Sequence, residues 1–334
     1  MLRMYDLRRN DYDVTNTVQV SSTAAVTAAV RDLFVATWPG ESFEKIETAF
    51  EDFDKLFTGR MPGYHAVDTI YHDRQHSLDM TLAAARMMVG YERSVEPRLR
   101  FGAERVTMAL VTSLLHDAGY IREYGDSEHR NGAEYTLYHV TRSARYLARY
   151  LPQIGMESWV PIATRVVHFT GYEMKPSQIE LLDARDRKLG HLLGTADLIA
   201  QMADRCYLEK CRDRLYPEFV LGGIAAAQAT DGSLQVRYSS GVDLLRQTPE
   251  FIRETRVERL EREFEHAYRY VEVLFAGKNP YLEAIDRNLK YLHRVLRTER
   301  WPMLRRSPPL FTSEETPIGQ VRGLMLSRLK ALWA

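Results

Sequence analysis

The chain has 334 residues, 45% hydrophobic and 27% charged, with 45 lysines and arginines balancing 45 aspartates and glutamates. That length and composition describe one large domain or two ordinary ones, with enough apolar residues to bury a core. A neutral balance argues against a polyanion-binding surface, so nucleic acid is not an expected partner.

The N-terminus "MLRMYDLRRNDYD" is charged and lacks the apolar stretch of a signal peptide. No later run reaches the roughly 18 apolar residues needed to cross a bilayer. The expectation is a cytoplasmic protein with no membrane partner. "SSTAAVTAAVRDLFVATW" (21–38) opens on serines that can cap a helix and continues with apolar residues at helical spacing. "PGESFEKIETAFEDFDKLF" (39–57) starts with a turn dipeptide and reads as a second helix. After the Pro-Gly loop of 60–69, a helix can run from Asp73 to about Gly90, with Leu78, Leu82, Ala85 and Met88 on one stripe. A third, 96–117, becomes apolar on nearly every side, as a helix buried in a bundle does.

The segments 126–151, 159–169 and 188–215 read as further helices. Within the last, Cys206 and Cys211 point to different faces, so two reduced thiols are expected and no disulfide. "ATDGSLQVRYSSGVD" (229–243) admits a small hairpin. The stretch 248–275 places Val257, Leu260, Phe264, Ala267, Val271 and Leu274 at steps of three and four, a long amphipathic helix. An irregular arm with a proline pair and a short helix close the chain. The fold class is therefore all-α, divided as N-terminal helices (1–59), a core (60–220) and a C-terminal helical extension (221–334), packed as one unit. The C-terminal helix and arm are open to two readings, a homodimer interface or a cover for the core.

The chemistry lies in "YHDRQHSLDM" (71–80) and "SLLHDAGY" (113–120). His72, His76 and Asp79 share one face if the segment is helical. His116 and Asp117 emerge at the end of a buried helix, where Gly119 permits a turn. His129, His168 and then Asp197, an acid inside an apolar helical run, complete the set. An unpaired carboxylate at Asp197 would carry a large desolvation penalty, which a cation or a partner histidine removes. Each piece alone has a bland reading, such as surface histidines or a helix–helix hydrogen bond. Together they form a His/Asp ligand set suited to zinc, manganese, iron or magnesium.

"YHDRQHSLDM" resembles the Y-H-N-x-x-H-A-x-D-V signature of class I cyclic nucleotide phosphodiesterases. "LLHDAGY" is similar to the element that names the HD superfamily of metal-dependent phosphohydrolases. "TADL" followed by "LYPEF" resembles the phosphodiesterase segment that supplies the fourth metal ligand and then an acidic-aromatic pair. The resemblance covers roughly residues 60–220 and implies an HD-domain helical bundle. It implies His76, His116, Asp117 and Asp197 as ligands of one divalent metal ion, with Asp117 bridging to a second. His72 would be the general acid, and Asp79 or Asp73 could orient its ring.

Asp73 replaces the motif's asparagine, and the H-D-x-x-H-P-G continuation is absent. His129 and His168 look instead like ligands of a fuller second site. The implied activity is hydrolysis of a nucleotide-type phosphoester, a cyclic nucleotide first, by a hydroxide held between two ions (Mg, Mn, Zn or Fe). Alternatives are nucleotide or alarmone dephosphorylation, di-iron oxygenation, and a non-catalytic regulatory module. Arg122 is a candidate phosphate contact, and Tyr120 and Tyr124 are candidates for base stacking. His65, His139, His191, His266 and His293 read as structural or solvated.

Overall fold

Helices account for nearly all the regular structure in the computed structural model, which describes residues 8–310 and 317–333. In chain order they are α1 (Thr23–Thr37), α2 (Glu44–Phe57), α3 (Arg74–Ser94), α4 (Ala103–Leu114), α5 (His139–Tyr150), α6 (Val160–Val166), α7 (Ala184–Ala203), α8 (Tyr207–Lys210) and α9 (Tyr216–Leu221). The strands β1 (Ala226–Gln228) and β2 (Leu234–Val236) follow, then α10 (Gly241–Glu254), α11 (Pro280–Thr298) and α12 (Pro317–Trp333). The start of the charged N-terminal stretch and residues 311–316 of the C-terminal arm lie outside the described residues.

α3 is the spine. Every residue from Gln75 to Glu92 is buried, because α1, α4, α7 and the turns of 267–274 pack around it. Close approach is needed at Gly90, where a Cβ would lie 1.8 Å from the Tyr270 carbonyl oxygen. Asp73 caps α3 by accepting the His76 N–H. α1 is capped in the same way by Ser22, which accepts from Ala25. A hydrophobic core runs through all these elements, from Val14 to Leu304.

Four expected helices are interrupted, each for a local reason. In 96–117 the chain makes a single turn at Pro97–Leu99, then passes Gly102 at φ 76° before α4 begins. In 126–151, Asn131 and Glu134 close a capping box around a short turn, so the helix proper starts only at His139. In 188–215, Asp204 accepts the Cys206 N–H and pairs with Lys210, which breaks the rod after α7. In 248–275, a π-helical stretch (Thr255–Glu263) gives way to two left-handed residues, Glu265 and His266, before a 3-10 segment.

The hairpin pairs Ala226 with Val236, so it begins upstream of the expected 229–243 and leaves 237–243 outside it. Among the described residues no helix is long and apolar enough to cross a membrane. Cys206 and Cys211 are free and buried.

Candidate metal centre

His76 comes from the first turn of α3, His116 and Asp117 from the bend after α4, and Asp197 from the middle of α7. All four are buried. Asp197 Oδ1 lies 3.2 Å from His76 Nε2 and 3.8 Å from His116 Nε2. Asp117 Oδ2 lies 3.4 Å from His76 Nε2 and 3.3 Å from His116 Nε2. The two imidazole nitrogens face each other at 3.3 Å. His76, His116 and Asp197 thus offer ligand atoms that all lie within 4.8 Å of one another.

These residues fit a cation on three counts. Asp117 Oδ2 and Asp197 Oδ1 are buried without a hydrogen-bond partner, an arrangement that costs free energy unless positive charge compensates it. His116 donates from Nδ1 to the Ser113 carbonyl at 2.8 Å, which leaves the Nε2 lone pair for the cluster. Two facing imidazole nitrogens also repel unless a proton or a cation sits between them. Burial opposes charge on His116, but Asp117 and Asp197 push its pKa up to about 9, so the pocket favours positive charge. Burial alone would raise the Asp117 carboxyl. His116, His72 and His76 instead hold it well below its usual range.

His72 is not on the helix with His76, because Asp73 caps α3 and His72 precedes it in an extended bend. Its ring still reaches the rim of the cluster, with centroid 5.9 Å from that of His76. The carboxylate that orients it is neither Asp79 nor Asp73. Glu218 of α9 accepts from His72 Nδ1 at 2.6 Å, and from the Ile70 and Tyr71 N–H groups at 2.5 and 2.6 Å. Burial works against charge on His72, yet Glu218, with Asp117 and Asp197 beyond it, raises its pKa above the ordinary value. Asp73 is a helix cap. Asp79, one turn on from His76, has Oδ1 unpartnered beside a small cavity that His76 also lines, and pairs with neither His72 nor the cluster.

Tyr120 does not offer its face to a base. It is fully buried and stacks on two imidazoles, His72 at 4.5 Å and His139 at 4.4 Å, whose own centroids are 6.2 Å apart. Sequence reading passed over His139, and the structure sets it beside the cluster. Its Nε2 lies 3.8 Å from Asp117 Oδ1, the oxygen turned away from His76 and His116. Its Nδ1 donates to the Thr136 carbonyl at 2.8 Å, so Nε2 carries the free lone pair. Burial and the nearby His72 keep its pKa below the usual histidine value, against the pull of Asp117.

Glu173 caps α5 through Val140 N–H and Thr141 N–H, and its Oε1 stands 4.0 Å from His139 Nδ1. His168 has a buried, unpartnered Nδ1 and a pKa lowered by burial, with Glu173 as its charged neighbour. His129 does not join this group. Its Nδ1 is 3.1 Å from Asp126 and its Nε2 is 3.0 Å from the Tyr138 hydroxyl, so both nitrogens are occupied.

Arg122 is likewise spent, on Asp68 at 2.8 Å and on the His129 carbonyl. Tyr124 is exposed and packs edge-on against His65. His191 is buried beside Glu265 and Lys188, away from the cluster. The signal that could have found His139 was its place in the order H, HD, H, H, D, which His129 fills equally well on spacing alone. Glu218 could have been found from "LYPEF".

Gly119 is required for a reason other than its own turn: a Cβ there would lie 1.9 Å from the His139 carbonyl oxygen. Gly119→Ala should therefore push the start of α5 away from Asp117. A cost of about 1–3 kcal/mol in stability is expected, measured by urea unfolding. An unchanged midpoint would show that α5 is not held at this spacing.

The sequence matches no protein-family model, and no curated protein matches it at a significant level.

Proposed function

We propose that this protein is a metal-dependent phosphohydrolase of the HD type, acting on a nucleotide-type phosphodiester. The observation that carries the reading is the convergence of His76, His116, Asp117 and Asp197 in one buried cluster, with a carboxylate-oriented His72 at its rim. The helical architecture around the cluster is consistent with an HD-domain bundle.

His76, His116, Asp197 and Asp117 Oδ2 would hold one divalent cation. Asp117 Oδ1 and His139 Nε2 would hold a second. Cations bound there would supply Lewis acidity and a nucleophilic water at neutral pH. The chain's own part is to orient and to move protons. Asp117 presents its two oxygens to different histidines and so fixes the relation between the two sites. His72, whose pKa Glu218 raises against burial, faces the cluster from the rim and in its protonated form can give its Nε2 proton to a leaving oxygen. Tyr120 packs against both His72 and His139 and so holds the two rings beside each other.

The test is metal content of the purified protein together with hydrolysis of bis(p-nitrophenyl) phosphate, for wild type and Asp117→Ala. The expected result is two metal ions per chain in the wild type, and loss of both activity and metal in the variant. Two irons with oxygen consumption and no hydrolysis would instead indicate the oxygenase chemistry. No bound metal and no activity after added manganese would remove the catalytic reading and leave a binding module.

A further inference from the structure

We propose that Arg214, held from behind by the C-terminal arm, is a positioning residue for the general acid His72. The inference rests on the phosphoester reading for its chemical consequence and on the packing alone for its structural one.

His72 sits in a short bend, residues 69–73, with no regular hydrogen bonding of its own. Thr69 Oγ1 ties the bend internally by donating to the His72 carbonyl at 2.6 Å. Beyond the Tyr71 hydroxyl, which donates to Gln201 at 3.0 Å, its backbone is held chiefly by one stretch of chain, 211–221. Glu218 takes the Ile70 and Tyr71 N–H groups and the His72 ring. Arg214, one turn earlier, takes the opposite polarity: Nη1 donates to the Ile70 carbonyl at 3.5 Å and lies 3.6 Å from Asp73 Oδ2. That Asp73 oxygen is buried and has no hydrogen-bond partner, so Arg214 is its compensating charge.

Residues Cys211–Leu215 are π-helical where α9 begins. The wider turn lets Arg214 and Glu218 both face the same bend. An acid and a base four residues apart thus grip the N–H and C=O sides of one peptide.

Arg214 itself is only 2% exposed, so its second amino group needs partners inside the protein. The arm provides them. Nη2 donates to the carbonyls of Pro308 and Pro309, the latter at 2.9 Å. Consecutive prolines restrict the backbone, so these two acceptors are presented with little residual freedom.

The described part of the arm is pinned at further points. Arg212 donates to the Leu304 carbonyl, the Arg306 N–H to Glu209, and the Arg306 guanidinium to the Arg205 carbonyl. Beyond it α12 returns, and Val321, 1% exposed, packs with Ile70, Ala133 and Leu221 in a small cluster separate from the main core. Ile70 is therefore held on its peptide by Arg214 and Glu218 and on its side chain by α12. None of these contacts touches His76, His116 or Asp197. The C-terminal extension thus bears directly on the acid, and reaches the cation ligands only through Asp73, which caps the helix that carries His76.

The experiment compares wild type with Arg214→Gln, Arg214→Lys and the double variant Pro308→Gly/Pro309→Gly. Two probes are used, bis(p-nitrophenyl) phosphate and diphenyl phosphate. The first expels a weakly basic phenolate that needs little protonation; the second needs the acid. The expected result for Arg214→Gln is a fall in kcat of about tenfold or more on diphenyl phosphate. Activity on the nitrophenyl ester should be nearly unchanged, and metal content equal to wild type. Arg214→Lys should restore part of the loss, and the proline pair variant should show the same split in smaller measure without touching the core.

Equal losses on both probes, or loss of metal, would overturn the proposal and make Arg214 a general structural residue. The downfield proton resonance of His72 Nδ1–H, held by Glu218, gives a readout independent of turnover. It should shift or broaden in Arg214→Gln even if the wild type hydrolyses neither ester, and an unchanged signal would overturn the proposal. An inactive wild type with a shifted signal would count against the phosphohydrolase reading and for the positioning role.

Discussion

Replacing His72 with alanine is expected to lower turnover of diphenyl phosphate by about 10²–10⁴-fold, the usual contribution of a positioned general acid. Turnover of bis(p-nitrophenyl) phosphate should be much less affected. Metal content should not change, because His72 stands at the rim and the convergent ligand atoms belong to His76, His116 and Asp197. The pH profile adds a directional test. His72 must be protonated to act, and its pKa is raised by Glu218 against the effect of burial. Activity on the demanding ester should therefore decline only as pH rises through that raised value. Glu218→Gln removes the charge that raises it, so the declining limb should move to lower pH. A His72→Ala enzyme equally impaired on both esters would mean that the ring serves the cluster and not the leaving group.

Asp79→Asn is expected to stabilise the protein at pH 8 and to have little effect near pH 4. Burial raises the Asp79 pKa from 3.8 to about 7, aided by the carboxylates of Asp204 and Asp13 and only partly relieved by Arg8 and Arg86. In the unfolded chain the group ionises near pH 4, whereas the folded protein keeps its proton to about 7. The folded state therefore binds more protons between these values, and stability falls as pH rises from about 4 to about 7, then levels off. Three units correspond to about 4 kcal/mol at most, and asparagine removes that penalty.

The site has room for the change. Asp79 borders a cavity of about 20 Å³ whose lining includes Gln75, His76, Gln201, Asp204 and Lys210, enough for about one water molecule. Urea unfolding at the two pH values decides the matter: no gain at pH 8 would mean that Asp79 is ionised and paired in the folded protein.

The elements that carry the cluster were legible because each has an unambiguous local signal. Asp73 caps α3, an apolar helix runs into His116 and Asp117, and Asp197 interrupts a buried face of α7. What spacing could not supply was which histidine returns to the cluster. His129 and His139 are ten residues apart, and only the capping box at Asn131 and Glu134 delays the helix enough to place His139 at its start. Asp79 fits the motif's pattern and shares a cavity with His76, but His72, ahead of the helix, takes Glu218 as its carboxylate. Glu218 and Arg214 act through a bend more than a hundred residues distant, a relation that no local pattern encodes. The break at Glu265 and His266 was hidden for another reason: an amphipathic repeat reads alike through α and π turns, and neither residue is the glycine that left-handed backbone favours.

The burial of α3 along its whole inner length has an evolutionary consequence. A ligand carried on a helix with no free face is tied to every neighbour of that helix, so drift near His76 is restrained by packing before it is restrained by chemistry. The stretches that lead into His139 and Glu173, 122–138 and 171–173, contain exposed side chains such as Tyr124, Leu137, Tyr138 and Tyr172. Relatives of this chain that take different substrates should differ from one another there, while their spines remain interchangeable.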